Sequence, residues 1–138
     1  MTAINRFHIT LKHDAKNNYD ILKSIYIGKI PMVNFNALIP IPENIGSIEK
    51  EFDFCLKNWG TQYQALPPRK RKNLKNNEFN FISVENFPIN WLLSLSKKFE
   101  DINWKAIVKH EIYTESGDLR VENLLYEIKN GNFSVKIK

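Results

Sequence analysis

"FCLKNWGTQYQAL", residues 54–66, joins a helical pattern to an extended one. Its first half completes an apolar stripe with the spacing of one helix face, and this stripe is made of Ile48, Phe52, Cys55, Leu56 and Trp59. Ser47 is predicted to cap the start of this helix. Gly60 is predicted to end it in the left-handed conformation, which glycine adopts without a Cβ clash. Residues 61–66 then predict a short strand.

Upstream of this junction, the pattern predicts a strand, a helix and a short extended piece. Residues 4–12 alternate between apolar and polar side chains, as a half-buried strand does. Asp14 is predicted to cap a helix that ends at Gly28. The apolar stripe of that helix comprises Ala15, Tyr19, Leu22, Ile25 and Tyr26. Residues 34–39 are predicted to be a short extended segment, and Pro40 and Pro42 then prevent continued pairing in a central strand.

Downstream, residues 78–85 predict a strand rich in aromatic and β-branched residues, and Pro88 predicts the start of a helix. The apolar face of that helix is predicted to contain Ile89, Leu92, Leu93 and Phe99. Three strands are predicted at about 103–114, 119–128 and 132–137, joined by turns at Gly117-Asp118 and Asn130-Gly131. This order predicts a single α+β domain over residues 1–138, with helices on one face of a mainly antiparallel sheet and a C-terminal β-meander.

The composition is that of a globular protein. The chain has 138 residues, of which 43% are hydrophobic and 25% are charged, so it is long enough to bury a core. Cys55 is the only cysteine, which excludes an internal disulfide and a cysteine-based zinc site. The N-terminal residues lack the apolar run of a signal peptide, and no stretch has the length of a membrane span. We therefore expect a cytoplasmic protein without a membrane partner.

The net positive charge of the chain comes from one segment. The formal net charge is +5, with 20 Lys and Arg against 15 Asp and Glu. Residues 69–75, RKRKNLK, hold five of these cations and no acid, so the rest of the chain is neutral. We call this segment the basic run. It follows Pro67-Pro68 and is predicted to lie on an exposed loop, because neighbouring like charges repel and stay solvated.

Two segments resemble the YubB-like family of plasmid and phage proteins, which carry a ferredoxin-like domain. They are FNALIPIP, residues 35–42, and CLKNWGTQYQA, residues 55–65. In that family a Leu/Ile-Ile-Pro-x-Pro segment is followed by Cys-x-x-Asn-Trp-Gly-Thr-x-Trp-Asn-Ala. The positions that match the second motif are Cys55, Asn58, Trp59, Gly60, Thr61 and Ala65. The resemblance implies a ferredoxin-like sandwich and a mobile-element origin, and it implies no activity.

The chain also departs from that family. Tyr63 and Gln64 stand where Trp and Asn are usual. A Thr-Ala-Trp-Ser-Pro-Pro stretch precedes the second long helix in the family, whereas this chain has ISVENFP at 82–88 and keeps only Pro88. A site shared between the two motifs would therefore be incomplete here.

The tetrapeptide Asn58-Trp59-Gly60-Thr61 allows two interpretations. In the first, it is a helix end: Trp59 packs in the core, and Asn58 and Thr61 pair with main-chain groups left free there. In the second, Asn58, Thr61 and Tyr63 form a small polar site beside an aromatic wall. We favour the helix end, and with it a structural role for Trp59.

The residues that an enzyme would need are not grouped in the sequence. His8 and His110 lie on predicted strands that could be neighbours, but no carboxylate accompanies them at a motif spacing. Cys55 falls on an apolar helix face, where a free cysteine behaves as a small hydrophobe. The glycines are scattered, so no phosphate-binding loop is present. We therefore predict a protein that is not an enzyme and has no cofactor or metal; a small enzyme using His8 or His110 is one alternative.

The basic run carries the functional prediction, through Arg69, Lys70, Arg71, Lys72 and Lys75. These cations could contact an acidic protein or nucleoprotein surface, or the phosphates of DNA or RNA with Tyr63 or Phe79 stacking on bases. They could equally be a solvated loop without a partner. We predict a phage or other mobile-element protein that inhibits a host defence nuclease or a nucleic-acid-guided complex by occupying its surface. A nucleic-acid-binding accessory factor is the main alternative.

Overall fold

The computed structural model describes residues 4–27, 32–68 and 77–137, and over these ranges the chain is α+β. The strands are β1 (Ile4–His13), β2 (Glu78–Val84), β3 (Trp104–Tyr113), β4 (Leu119–Lys129) and β5 (Asn132–Ile137). The helices are α1 (Tyr19–Ile25), α2 (Phe35–Leu38), α3 (Ile48–Trp59) and α4 (Ile89–Lys98). The strands form one open sheet in the order β2-β1-β3-β4-β5, and every neighbouring pair is antiparallel.

The alternation within each strand separates the two faces of the sheet, as strand geometry requires. Ile9 stands opposite Phe81 of β2 and Val108 of β3, and all three side chains are buried. The helices cover this core face: the Phe35 ring of α2 and the Trp91 ring of α4 lie against Phe81, at centroid distances of 5.8 and 6.2 Å. The buried row of the central strands comprises Phe7, Ile9, Leu11, Phe79, Phe81, Trp104, Ala106 and Val108.

The other side of the sheet, which we call the open face, carries the alternate residues. His8 and Thr10 of β1 are half-buried there, and Lys105 and Lys109 of β3 are exposed. By register, the charged residues of this face are Arg6, Lys12, Lys105, Lys109, Lys129 and Lys136 against Glu78, Glu111 and Glu127. The described part of the open face therefore carries more cations than anions.

The three C-terminal strands follow one another across the sheet, as the sequence predicts. Asn130 and Gly131 both have positive φ, 44° and 78°, and they form the two-residue turn between β4 and β5. Gly117, at φ 87°, lies in the turn between β3 and β4. These turns connect adjacent antiparallel strands directly, which is the arrangement of a meander.

Helix α3 begins and ends at the residues that the sequence predicts. The Ser47 side chain accepts a hydrogen bond from the Lys50 N–H at 3.2 Å, and Gly60 follows the last helical residue at φ 87°. The predicted stripe is buried only in part. Cys55 and Trp59 reach the core, but Ile48, Phe52 and Leu56 are 69%, 38% and 44% exposed. Helix α3 therefore buries only part of its apolar face.

The N-terminal helix is shorter than predicted. It begins at Tyr19 instead of after Asp14, because Asp14 does not cap it. The two carboxylate oxygens of Asp14 instead accept hydrogen bonds from the main-chain and side-chain nitrogens of Asn103, at 2.9 and 2.6 Å. Tyr19, predicted on the buried stripe, is 64% exposed. The helix ends at Ile25, and Gly28 lies outside the described residues.

The prediction of an extended segment at 34–39 is wrong. Residues Phe35–Leu38 form a helical turn, and the Asn34 side chain caps it by accepting a hydrogen bond from the Asn36 N–H at 2.9 Å. The prolines that follow limit strand pairing, but they do not prevent a single helical turn before them.

Two further elements differ in detail. The predicted strand at 61–66 is reduced to one bridge, in which Leu66 pairs with Ile82 along the outer edge of β2. Helix α4 follows Pro88 as predicted, but its most deeply buried apolar side chains are Trp91, Leu92 and Leu95, and the predicted face omits Trp91 and Leu95. Within the described ranges, no helix has the length and apolar character needed to cross a membrane.

Candidate functional site

The end of α3 is built by close main-chain contact with the start of α4. The Gly60 N–H donates to the Leu56 carbonyl at 3.1 Å. A Cβ at Gly60 would lie 3.1 Å from the main-chain nitrogen of Ile89 and 3.2 Å from that of Asn90. The Asn90 side chain donates to the Lys57 carbonyl at 2.9 Å, which pairs a carbonyl left free at the helix end. Glycine is therefore required both for its φ and for its lack of a side chain.

Trp59 is a core residue, in line with the structural interpretation. Its side chain is 1% exposed, and its ring lies 5.4 Å from that of Phe35. Its indole Nε1–H donates a hydrogen bond to the Ile39 carbonyl at 3.0 Å. The polar atom of the tryptophan is thus satisfied inside the fold.

The three residues of the alternative polar site do not share one surface. Thr61 is fully buried, and its hydroxyl donates to the Val84 carbonyl at 3.2 Å. The Asn58 amide donates to the Phe54 carbonyl one turn earlier in its own helix, at 2.9 Å. Tyr63 is 43% exposed, and its ring lies 6.2 Å from that of Phe52. Thr61 stabilises the junction, which leaves Asn58 and Tyr63 as the residues of this set that reach the surface.

Gln64 joins the two segments that resemble the YubB-like family. Its Oε1 accepts hydrogen bonds from the N–H of Phe35 at 2.6 Å and of Ala65 at 3.0 Å. Its Nε2 donates to the Asn34 side chain at 3.1 Å. The Gln64 side chain therefore fixes the segment that follows α3 to the start of α2.

The predicted binding residues Arg69, Lys70, Arg71, Lys72 and Lys75 lie outside the described residues. Both flanks of the basic run are described and are held by the sheet. On one side Leu66 exchanges two main-chain hydrogen bonds with Ile82, at 2.8 and 2.9 Å. On the other side Asn77 accepts from the His13 N–H at 3.1 Å and donates from its side chain to the His13 carbonyl at 2.9 Å. Leu66, before the run, therefore lies beside β2, and Asn77, after it, lies beside the end of β1.

Phe79, predicted as a stacking surface for bases, is not available for that role. It is 3% exposed and packs at 5.7 Å from the His13 ring and 6.0 Å from the Tyr26 ring. The alternation of β2 turns it into the core, while Glu78 and Asn80 occupy the open face.

The two histidines proposed for an enzyme lie on opposite faces of the sheet. Their strands are neighbours, but His8 stands opposite Lys109, and His110 stands opposite Phe7. His110 stacks on Phe7 at 4.1 Å and lies 2.9 Å from the Asn5 side-chain oxygen. Burial lowers the pKa of His110 from its ordinary value of 6.5, against a smaller opposing effect of Glu122. The two rings cannot act on one substrate.

His8 has a carboxylate partner that the sequence does not reveal. Its Nε2 forms a hydrogen-bonded pair with Glu111, a buried carboxylate 103 positions away in the chain. The pair lines a groove of about 610 Å³ on the open face, with Pro68 at its edge. Glu111 occupies an alternating polar position of a strand that also carries Lys105 and Lys109, so nothing in the pattern marks it as buried. Glu111 is far from any motif spacing to His8 in the sequence, so only the pairing of β1 with β3 brings the two together.

Cys55 is an inert core thiol. It is 1% exposed, and burial, with a smaller effect of Glu51, raises the pKa of its thiol above the usual value. In the described ranges, no group of three or more His, Cys, Asp or Glu side chains is placed to hold a metal ion.

No family model matches the chain, and no curated protein or solved structure is significantly similar to it. The resemblance to the YubB-like family stays a prediction that residues 35–42 and 55–65 carry.

Proposed function

We propose that the protein acts by binding, and that the basic run contacts an acidic protein or nucleoprotein surface. The observation that carries this proposal is the attachment of both flanks of the run to the sheet, through Leu66 on Ile82 and Asn77 on His13. The run places five cations within seven residues of sequence, between these two attached flanks. Such a concentration accelerates association with an acidic surface.

The neighbouring open face extends the same charge. Pro68, which precedes the run, lines the groove that also contains His8 and Lys109. The rows of this face carry six Lys or Arg residues against three Glu residues. The described open face thus has an excess of cations of its own, which favours an acidic partner.

The identity of the partner rests on the family resemblance. Because the resembling proteins belong to plasmids and phages, we propose a host defence nuclease or nucleic-acid-guided complex as the target that this protein inhibits. The ferredoxin-like character of the domain and its cytoplasmic location belong to the same proposal. They are supported by residues 35–42 and 55–65 and by the single cysteine, Cys55.

A pull-down from extracts of a host bacterium tests the proposal, with and without nuclease treatment. The bait is the parent protein or a variant in which Arg69, Lys70, Arg71, Lys72 and Lys75 are replaced by Ser or Gln. A matched control removes the same charge from five exposed lysines elsewhere, Lys16, Lys23, Lys50, Lys57 and Lys98. We expect the parent and the control to retain the same partner and the first variant to lose it.

The other outcomes are equally informative. Retention by all three proteins would overturn the role of the basic run. Capture that disappears after nuclease treatment would favour the accessory factor, and direct binding to DNA or RNA should then weaken steeply with salt. Each phosphate-binding cation that the variant removes would then flatten the log–log salt slope by about one unit.

A further inference from the structure

The two edges of the sheet differ in how they are protected. The outer edge of β2 is covered in part, because Leu66 exchanges two main-chain hydrogen bonds with Ile82, at 2.8 and 2.9 Å. The other edge is β5, and no described residue pairs with its outer side. An open edge strand is a template for pairing with another chain, and proteins usually protect it with proline, charge, a bulge or a covering segment.

Strand β5 lacks these protections. It contains no proline, it pairs with β4 without a bulge, and all six of its residues are exposed. Its one charged side chain, Lys136, already pairs with Glu127 of β4 at 3.6 Å. The alternate side chains are apolar: Phe133, Val135 and Ile137 are 49%, 48% and 85% exposed. The strand therefore combines an open edge with an uncovered apolar row.

The register of the β4–β5 hairpin decides which main-chain groups of β5 point outward. Lys129 and Asn132 flank the two-residue turn, so this pair exchanges main-chain hydrogen bonds within the hairpin. Such pairs alternate with non-bonded pairs along an antiparallel ladder, so Ser134 and Lys136 also bond to β4. The residues whose main-chain N–H and C=O groups point away from β4 are Phe133, Val135 and Ile137. These are the same three residues that carry the exposed apolar side chains.

This arrangement is self-complementary. When two copies of β5 meet antiparallel with Val135 opposite itself, Phe133 of each copy lies opposite Ile137 of the other. Every pair that exchanges hydrogen bonds is then apolar, and Ser134 lies opposite Lys136, so no like charges face each other. A slide of two residues in either direction loses one bonded pair, and in one direction it also places Lys136 opposite its own copy.

We propose that the protein forms a two-fold dimer through β5 of each copy, which joins the two five-stranded sheets into one continuous sheet. The two-fold axis passes through Val135, perpendicular to the sheet. An axis in this direction keeps the core faces of both copies on one side and their open faces on the other. The exposed apolar rows of the two copies therefore cover each other, and the outward main-chain groups of β5 gain partners.

Concentration and amide exchange test this pairing. Sedimentation equilibrium over increasing protein concentration should show a reversible change from monomer to dimer. Hydrogen exchange of the ¹⁵N-labelled protein should show that the amides of Phe133, Val135 and Ile137 become protected as the dimer forms. The amides of Ser134 and Lys136 bond to β4 in either state, so their protection should change much less, and they serve as internal controls.

Charge variants test the position of the two-fold axis. Val135→Lys places two ammonium groups opposite each other at the axis, so it should weaken dimerisation at least about tenfold. Val121→Lys adds the same charge at a similarly exposed valine of β4 that has no register partner in β5, so this control should dimerise like the parent. A mixture of Val135→Lys and Val135→Glu should form a heterodimer, because opposite charges then meet at the axis.

The outcomes are separable from those of the binding proposal, because neutralising the basic run should leave the dimer unchanged. A protein that stays monomeric at every concentration would overturn the dimer, as would equal changes in the protection of inward and outward amides. Dimerisation that survives Val135→Lys, or that Val121→Lys also abolishes, would place the interface away from β5 and overturn the proposal. A mixture of the two charge variants that stays monomeric would overturn it as well.

Discussion

The indole nitrogen of Trp59 lies 3.0 Å from the carbonyl oxygen of Ile39, and this hydrogen bond fastens the end of α3 to the segment that follows α2. The bond joins residues 20 positions apart, and both belong to the segments that resemble the YubB-like family. Together with the Gln64 side chain, it makes the helix end and the proline segment one unit. The stability of this unit can be measured residue by residue.

Trp59→Ala should lower the free energy of unfolding by about 3–5 kcal/mol, because it empties a core position and removes the hydrogen bond to Ile39. Urea unfolding followed by circular dichroism measures the change. Ile48→Ala provides the control: it lies at the start of the same helix and is 69% exposed, so its cost should stay within about 0.5 kcal/mol. Equal effects of the two substitutions would contradict the core position of Trp59.

Gly60→Ala should destabilise the fold more than Gly117→Ala does. Both glycines have φ 87°, so both substitutions place alanine in the left-handed region, at about 1 kcal/mol. Only at Gly60 does the new Cβ meet main-chain atoms, within 3.1–3.2 Å, whereas no described atom lies within 4 Å at Gly117. The difference between the two unfolding free energies therefore measures the close approach of α3 and α4. No difference would show that the α4 main chain moves away without cost.

Gln64→Asn tests the side chain that joins the segment after α3 to the start of α2, because Asn is one methylene shorter. The shorter side chain cannot span the distance to the Phe35 N–H, which Gln64 Oε1 reaches at 2.6 Å. Phe35 is fully buried, so its N–H would lose its partner at a cost of about 1–3 kcal/mol. Thermal and urea unfolding check this expectation. A variant as stable as the parent would mean that the segment at 34–36 shifts to meet the shorter residue.

Two histidines, the buried His13 and the half-buried His110, should make the protein less stable as the solution becomes acidic. Burial lowers the pKa of His13 and of His110 from the ordinary 6.5. Near this pH the unfolded chain binds protons that the folded chain does not, so the free energy of unfolding rises with pH. The contribution is complete above pH 6.5 and is lost as the pH falls below that value.

The measurement compares urea unfolding at about pH 7.5 and about pH 5.5, on either side of the ordinary histidine pKa. A double variant, His13→Gln with His110→Gln, should show a smaller difference between the two conditions. Asp14 does not contribute to the stability difference between these two pH values. Hydrogen bonds from Asn103 lower its pKa below the ordinary 3.8, so its effect on stability appears only in stronger acid. An unchanged difference in the double variant would assign the pH dependence to other groups.

The elements with strong local signals could be predicted from the sequence. Ser47 and Gly60 mark the two ends of α3, and Asn130-Gly131 marks the last hairpin, because capping and turn conformations depend on the residue itself and its immediate neighbours. The alternation in β1 and β3 likewise identifies the buried side of each strand. The α+β class and the antiparallel C-terminal strands follow from these local rules.

The predictions that fail are those in which a residue distant in the sequence forms a hydrogen bond with a group that local rules assign to its neighbours. Asp14 has the chemistry of a helix cap, but Asn103 occupies its carboxylate from 89 positions away. The sequence predicts Phe35 in an extended segment. In the structure its N–H donates a hydrogen bond to the Gln64 side chain, and its carbonyl accepts one from the Trp91 indole. Such pairings depend on which elements the fold brings together, and the local pattern does not contain that information.

The candidate sites divide in the same way. The sequence by itself determined the basic run and its charge, since charge is a property of composition. Only the tertiary structure decided that His8 meets the buried carboxylate of Glu111, that His110 faces the other side of the sheet, and that the rings of His13 and Trp104 pack together. Register is the physical reason, because a shift of one residue in the pairing of β1 and β3 would turn the β3 side chains to the other face. Glu111 would then leave His8, and His110 would come to the face of His8.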